Sequence, residues 1–268
     1  MISIGMNPTL FSLGSFSLTW HGLFMVAGIA VGVFFPARLM AKAGLSRDTL
    51  YSLAPWAILG GIIGARLLHL VDHWDFYLAN PELILAVWRG GLAVWGGILG
   101  GTIAALIFAK IQDKGFYLAP YADQIAPGLI LAQATGRIGC IIDGDVFSTT
   151  TGLPWGVVYT HSHSPSYGRS PQHPAVGYEL LMDLFIFGIL WKLRGRLKPD
   201  GSLFLLYTIL YSVGRFFLSF LRLDSNTVLL SLNQAQWVAL LTLAVAIPLL
   251  VFRRVSYQKQ SELSTADV

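Results

Sequence analysis

Apolar residues in this chain are gathered into seven blocks rather than spread in stripes. The blocks cover roughly residues 17–37, 51–71, 91–110, 124–142, 176–193, 203–221 and 233–252. Each is close to the ~20 residues that a helix rising ~1.5 Å per residue needs to cross a hydrocarbon core. No stretch sustains the period-two alternation of a barrel strand. Backbone N–H and C=O groups in lipid must be paired within the segment itself, so the blocks predict helices. The pattern specifies an all-α integral membrane protein with about seven transmembrane helices. Residues 1–254 are expected to form a single transmembrane domain, and 255–268 a polar, disordered cytosolic tail.

The polar residues between the blocks set the orientation. With the N-terminus outside, the cytosolic segments hold twelve basic residues: Arg38, Lys42, Arg47, Lys110, Lys114, Lys192, Arg194, Arg196, Lys198, Arg253, Arg254 and Lys259. The outer segments hold three, Arg89, Arg169 and Arg222. This positive-inside bias predicts an outer N-terminus and a cytosolic C-terminus. The net charge of +4 then reports topology and not a nucleic-acid footprint. Only 12% of residues are charged, against about 25% in soluble domains, which excludes a soluble fold. The start, MISIGMNPTLFSLGSF, has no positive n-region and does not read as a cleaved signal peptide. A lone cysteine, Cys140, rules out an intrachain disulfide or a Cys-based metal centre.

Most of the chemistry lies in or near the outer loops. One loop, about 72–90, carries Asp72, His73, Asp75 and Trp88; the other, about 143–175, carries Asp143, Asp145, His161, His163 and His173. Long ordered loops are uncommon without a function. His161 and His163 form an H-x-H pair with no further ligands to complete a metal site. Glycines recur within two blocks, at 60, 61 and 64 and at 96, 97, 100 and 101. Such small residues predict helices packed backbone to backbone in lipid; the other reading is backbone approaching a ligand.

Three arginines fall inside the blocks: Arg66, Arg137 and Arg215. A charge in the bilayer interior costs several kcal/mol and marks function by default. Arg66 lies six residues before Asp72, Arg137 six before Asp143, and Arg215 seven before Arg222. In the expected topology each sits ~9–10 Å below the outer end of its helix. Glu179, at the outer end of the fifth block, is the best carboxylate to balance them, and a lipid phosphate, which arginine matches in bidentate geometry, is the other natural partner. The alternative is that each arginine snorkels or bonds carbonyls to hold helices together. His21, Trp95 and Tyr178 start helices from the same side.

The segments GRIGCIIDGD (136–145), HPAVGYE (173–179) and GRFFLSFLR (214–222), with GARLLHLV (64–71) and RGGLAVWGG (89–97), resemble the signature segments of bacterial prolipoprotein diacylglyceryl transferases. The resemblance covers roughly residues 18–254. It implies a multi-pass protein of the bacterial inner (plasma) membrane that moves the diacylglyceryl group of phosphatidylglycerol to the lipobox cysteine of a prolipoprotein, releasing glycerol 1-phosphate. It implies no metal and no cofactor. Its partners would be phosphatidylglycerol, the lipobox peptide and membrane lipids, with no nucleic acid. Carried over by motif, Arg137 is the main phosphatidylglycerol contact and Arg215 a second essential arginine. Arg66 supports them, and Tyr178 and Glu179 order the site. Asp143, Asp145, His21 and His173 are the groups left to take the thiol proton.

The chain departs from the family pattern at several points. Trp95 stands where the third-span motif usually has His, and His21 where the first-span motif has Tyr. Cys140 and Asp143 replace two Asn, Ser219 a Glu, and Val176 a Gln. Two readings follow: an active enzyme using another base, or a non-catalytic phospholipid- or anion-binding membrane protein of the same fold. A transporter ranks last, for want of an internal repeat or paired broken helices.

Overall fold

The computed structural model describes residues 1–14, 16–87, 91–111, 117–223, 227–229 and 231–266. Trp88, Arg89 and Lys114, which enter the topology argument, lie outside the described residues. Among the described residues, eight α-helices account for most of the fold: α1 Trp20–Lys42, α2 Arg47–Asp72, α3 Trp74–Ala79, α4 Val94–Ile111, α5 Leu118–Asp143, α6 Ala175–Leu193, α7 Ser202–Leu218 and α8 Gln234–Ala266. All seven apolar blocks fall on helices, and the short α3 lies between the second and third blocks. Four helices, α1, α2, α5 and α8, and the run Ser202–Leu221 are long and apolar enough to cross a membrane, while Trp95–Ile111 is a shorter apolar helix. Together they make this a helical integral membrane protein. Helix α8 continues as far as Ala266, so most of the polar tail expected to be disordered is helical. Nothing in 255–266 breaks a helix: the segment holds neither Gly nor Pro.

Strands are few and short. β1 (Ile2–Ile4) runs parallel to β4 (Val157–Tyr159), β2 (Thr9–Leu13) forms a hairpin with β3 (Phe16–Thr19), and β5 (Thr227–Leu229) pairs with β6 (Leu232–Asn233). All lie between the spans or before the first, where backbone outside lipid need not be helical.

The chain divides into two compact units, Met1–Pro36 with Ala119–Val268, and Ala37–Leu118. In the second unit, α1 ends in a left-handed glycine cap. Gly44 has φ +72° with open space around it, and Leu45 N donates to Met40 O at 2.9 Å, the backbone pattern that satisfies end carbonyls. Helices α2 and α4 pack through their glycines. A Cβ on Gly60 would stand 2.8 Å from Gly100 O, and one on Gly64 2.8 Å from Gly100 Cα. The two backbones touch, as the small-residue spacing predicts.

In the first unit the buried core is built from α5, α6 and α7: Ala126, Ile130, Ile186, Leu190, Leu203 and Tyr207. Close approach also joins α1 to α5, where a Cβ on Gly28 would meet Ala132 O at 2.9 Å. Asp123, buried near the start of α5, accepts from Gly201 N at 2.7 Å and Phe204 N at 2.9 Å. The start of α7 is thus capped by a side chain from another helix, replacing the local Ser, Thr or Asp that usually does this. Substituting Asp123→Ala is expected to cost about 1–2 kcal/mol, the worth of a strong N-cap, read as a lowered thermal unfolding midpoint in detergent. Asp123→Asn, which keeps one acceptor oxygen, is expected to lose less.

Candidate functional site

One buried carboxylate gathers the charged side chains of the first unit. Glu179, in the first turns of α6, has a side chain 1% exposed. A buried carboxylate without partners costs far more than any packing it makes possible, and here it gathers cations from two helices and a turn. Arg137 Nη1 of α5 lies 2.9 Å from Glu179 Oε2. Arg215 Nη1 of α7 bonds Glu179 Oε1 directly. Arg222, just past the turn Ser219–Leu221 that follows α7, places Nη1 3.7 Å from Glu179 Oε2 and 3.2 Å from Asp145 Oδ2. Asp145 in turn accepts from Ser148 Oγ at 2.6 Å and Phe147 N at 3.0 Å.

The three guanidiniums differ in access. Arg137 is 25% exposed, Arg215 17% and Arg222 9%. Arg222 and Asp145 neutralise one another. Arg137 and Arg215 both reach Glu179, and Arg137 presents its guanidinium most openly. One further acid and one phenol lie on α6 and α7. Asp183, one turn deeper on α6, is fully buried with neither carboxyl oxygen hydrogen-bonded among the described residues. Tyr207 of α7 accepts from Gln133 of α5 at 3.0 Å.

Around this core the loop between α5 and α6 is held by short polar ties. Trp155 Nε1 donates to Tyr178 Oη at 2.7 Å. The His173 ring stands 6.3 Å from that of Tyr178, with Nδ1 buried and unpartnered among the described residues. Tyr159 donates its hydroxyl to Ile141 O at 3.0 Å, and burial pushes its phenol up to about 12, which keeps the donor in place. Asp145, Tyr159 and His173 help line a small cavity of about 40 Å³.

The structure thus brings Arg137, Arg215 and Glu179 together, with Tyr178 and His173 on the loop side. Asp143 ends α5, its carboxylate free of hydrogen bonds among the described residues while its carbonyl accepts from Ser164. Arg66 belongs to the other unit and has a different set of partners. It donates to the carbonyls of Leu83, Ile84 (2.8 Å) and Gly91 (2.8 Å), and its guanidinium lies 5.0 Å over the Tyr77 ring. These contacts fasten the segment between α3 and α4, the helix-holding role the sequence left open for it. Among the described residues no group of three or more His, Cys, Asp or Glu is placed to hold a metal ion.

Sequence reasoning counted Arg222 as a loop cation and passed over Asp183. Both had signals. Arg222 follows Arg215 by seven residues, two turns on one helical face, and Asp183 follows Glu179 by four, again one face, in an otherwise apolar helix. Removing the central anion should strand its arginines. Glu179→Ala is expected to destabilise the protein by about 3–5 kcal/mol, measured by thermal unfolding in detergent. A change under about 1 kcal/mol would mean that solvent or lipid already screens the pair.

Comparison with known proteins gives a consistent result. Residues 8–252 match the family model described as prolipoprotein diacylglyceryl transferase. A Staphylococcus aureus (strain MSSA476) protein named phosphatidylglycerol–prolipoprotein diacylglyceryl transferase is 35% identical over 261 residues, 94% of this chain and 90% of the relative. A protein of the same name from Dehalococcoides mccartyi is 35% identical over 266 residues, 99% of this chain and all of the relative.

Proposed function

We propose a function from one premise, that this chain belongs to the prolipoprotein diacylglyceryl transferase family: it transfers the diacylglyceryl group of phosphatidylglycerol to the lipobox cysteine of prolipoproteins, as a multi-pass protein of the bacterial plasma membrane with its N-terminus outside. The observation that carries this reading is the convergence of two guanidiniums on Glu179, with Arg137 the more open of the two. Arg137 and Arg215 converge on one carboxylate, and Arg137 makes no hydrogen bond to any other described residue. A phosphodiester carries one negative charge and offers the paired oxygens that a guanidinium fork matches.

The chemistry follows from that placement. The thiol sulfur of the lipobox cysteine attacks the glyceryl methylene bonded to the phosphate oxygen. A C–S bond forms, the C–O bond breaks, and the electron pair leaves with glycerol 1-phosphate. Negative charge grows on the phosphate as it departs, and fixed cations in a site of low dielectric stabilise that growth more than they stabilise the intact lipid. In this reading Arg137 holds the phosphate and Arg215 stabilises its developing charge. Glu179 fixes both guanidiniums so that neither has to reorganise during the reaction. Tyr178, tied to Trp155, and His173 order the wall beside the arginines, and Asp143 is a candidate to take part in proton transfer from the end of α5. Arg66 contributes by holding the segment before α4.

The test is complementation with a gel-shift readout. Expressed in cells depleted of their own diacylglyceryl transferase, the protein is expected to convert a lipoprotein precursor to its lipid-modified form. Arg137→Ala is expected to abolish conversion and to weaken phosphatidylglycerol binding about 10- to 100-fold, the worth of one charged hydrogen bond. Failure of the inserted, well-expressed protein to convert the precursor, with phosphatidylglycerol binding intact, would favour the non-catalytic lipid-binding reading.

A further inference from the structure

The transfer reaction needs a group to take the thiol proton, and most acids and bases of the first unit are already committed. Glu179 is held by Arg137 and Arg215, and Asp145 by Arg222 and Ser148. Asp183 is sealed at 0% exposure, out of reach of an incoming peptide. The Nδ1 atom of His173 is buried. What remains accessible lies on one face of α5 and the start of α1.

Arg137, Cys140 and Asp143 follow one another at three-residue spacing along the last turns of α5, so they share a face and climb ~4.5 Å per step. Against the middle of that stripe lies His21, in the first turn of α1. The Cys140 Sγ is 3.5 Å from His21 Nδ1. The fit is enforced by backbone packing: a Cβ on Gly139 would stand 2.9 Å from His21 Cα, so only glycine lets the two helices approach this closely. Asp143 lies within electrostatic reach of the same imidazole. The other ring nitrogen of His21 makes no hydrogen bond among the described residues, and His21 is only half-buried. From α5, the titratable and charged groups facing this imidazole are Cys140 and Asp143, with Arg137 one turn deeper; α1 carries no other titratable side chain before Arg38.

We infer that His21, oriented by Cys140 and balanced by Asp143, is the proton acceptor for the substrate thiol. This rests on the transferase reading given above. With Nδ1–H directed at the Cys140 sulfur, Nε2, which has no hydrogen bond among the described residues, carries the lone pair. The thiol proton moves to Nε2 as sulfur attacks the glyceryl carbon. The imidazolium so formed faces the Asp143 carboxylate, and its proton then passes to the departing phosphate or to water. Cys140 itself forms no bond to substrate; it is a positioning residue, and Arg137 one turn below places the phosphate on the same helical face as the base.

The experiment uses the purified full-length protein in phosphatidylglycerol vesicles with a labelled lipobox peptide, assayed from pH 6 to 9. The wild-type protein is expected to transfer lipid. His21→Gln is expected to lower the rate at neutral pH by about 100-fold or more with little change in the apparent affinity for phosphatidylglycerol. The deficit should narrow toward pH 9, because the peptide thiol, with a pKa of about 8.5, then ionises unaided. His21→Gly is expected to regain activity with added imidazole. Asp143→Asn should show a smaller loss with the same narrowing. Wild-type rates in His21→Gln, or a deficit constant with pH that imidazole does not relieve, would overturn the assignment of His21 and leave the transferase reading standing. Absence of transfer by the wild-type protein would overturn both.

Discussion

A carboxylate that is 1% exposed in the first turns of a membrane helix has to be matched by positive charge, and the rest of the first unit is arranged around that requirement. Glu179 brings Arg137 from α5 and Arg215 from α7 to one point, and Arg222 approaches from the turn beyond α7. Desolvating several ions would be unfavourable if they were left apart. Held together they cost less, and the arrangement leaves guanidinium groups fixed in direction before any lipid arrives. A site whose donors are already oriented loses no energy to reorganisation when charge develops on a phosphate. The same arrangement explains the graded exposure of the arginines. The one paired with its own carboxylate, Arg222, is the most enclosed, and Arg137, which shares Glu179, is the most open.

Fixing those donors requires helices that do not slide. In lipid there is no hydrophobic driving force between helices, so packing and buried hydrogen bonds must hold them. Gly28 against Ala132 and Gly139 against His21 bring α1 onto α5 at backbone distance, and Asp123 ties the start of α7 to α5. These are short-range, directional restraints at both ends of α5, the helix that carries Arg137. In the second unit the glycines of α2 and α4 achieve the same by direct backbone contact.

The helices were legible from sequence because lipid enforces their length and their internal hydrogen bonding: all seven apolar blocks fall on observed helices. Arg137, Arg215 and Glu179 were legible as a group because each is costly alone and all lie near the outer helix ends. The roles of Arg66 and Arg222 were not. An intramembrane arginine satisfied by the carbonyls of Leu83, Ile84 and Gly91 has the same sequence appearance as one waiting for a phosphate, since backbone acceptors leave no mark in residue identity. Arg222 looked like a loop cation because apolar blocks are read to their ends, and the turn at Ser219–Leu221 that folds it back is a tertiary feature. The polar stretch beyond 255 was misread for a related reason. Low hydropathy argues against a span, but it does not argue against a helix whose residues have adequate propensity and no breaker.

The contact between His21 and Cys140 was out of reach of sequence for yet another reason: each departs from the family pattern separately, and nothing in a single sequence links position 21 to position 140. Three-dimensional packing does link them, and it changes how the departures are weighed. Taken one at a time, a histidine in place of a tyrosine and a cysteine in place of an asparagine count against catalytic competence. Placed 3.5 Å apart, one turn from Arg137 along α5, they make a polar contact between α1 and α5. That contact also adds an imidazole where the pattern had a phenol. An imidazole accepts a proton from a thiol far more readily near neutral pH than a phenol does. On the proposed mechanism the substitutions supply a proton acceptor, which Trp95 cannot be, on the helix pair that carries Arg137.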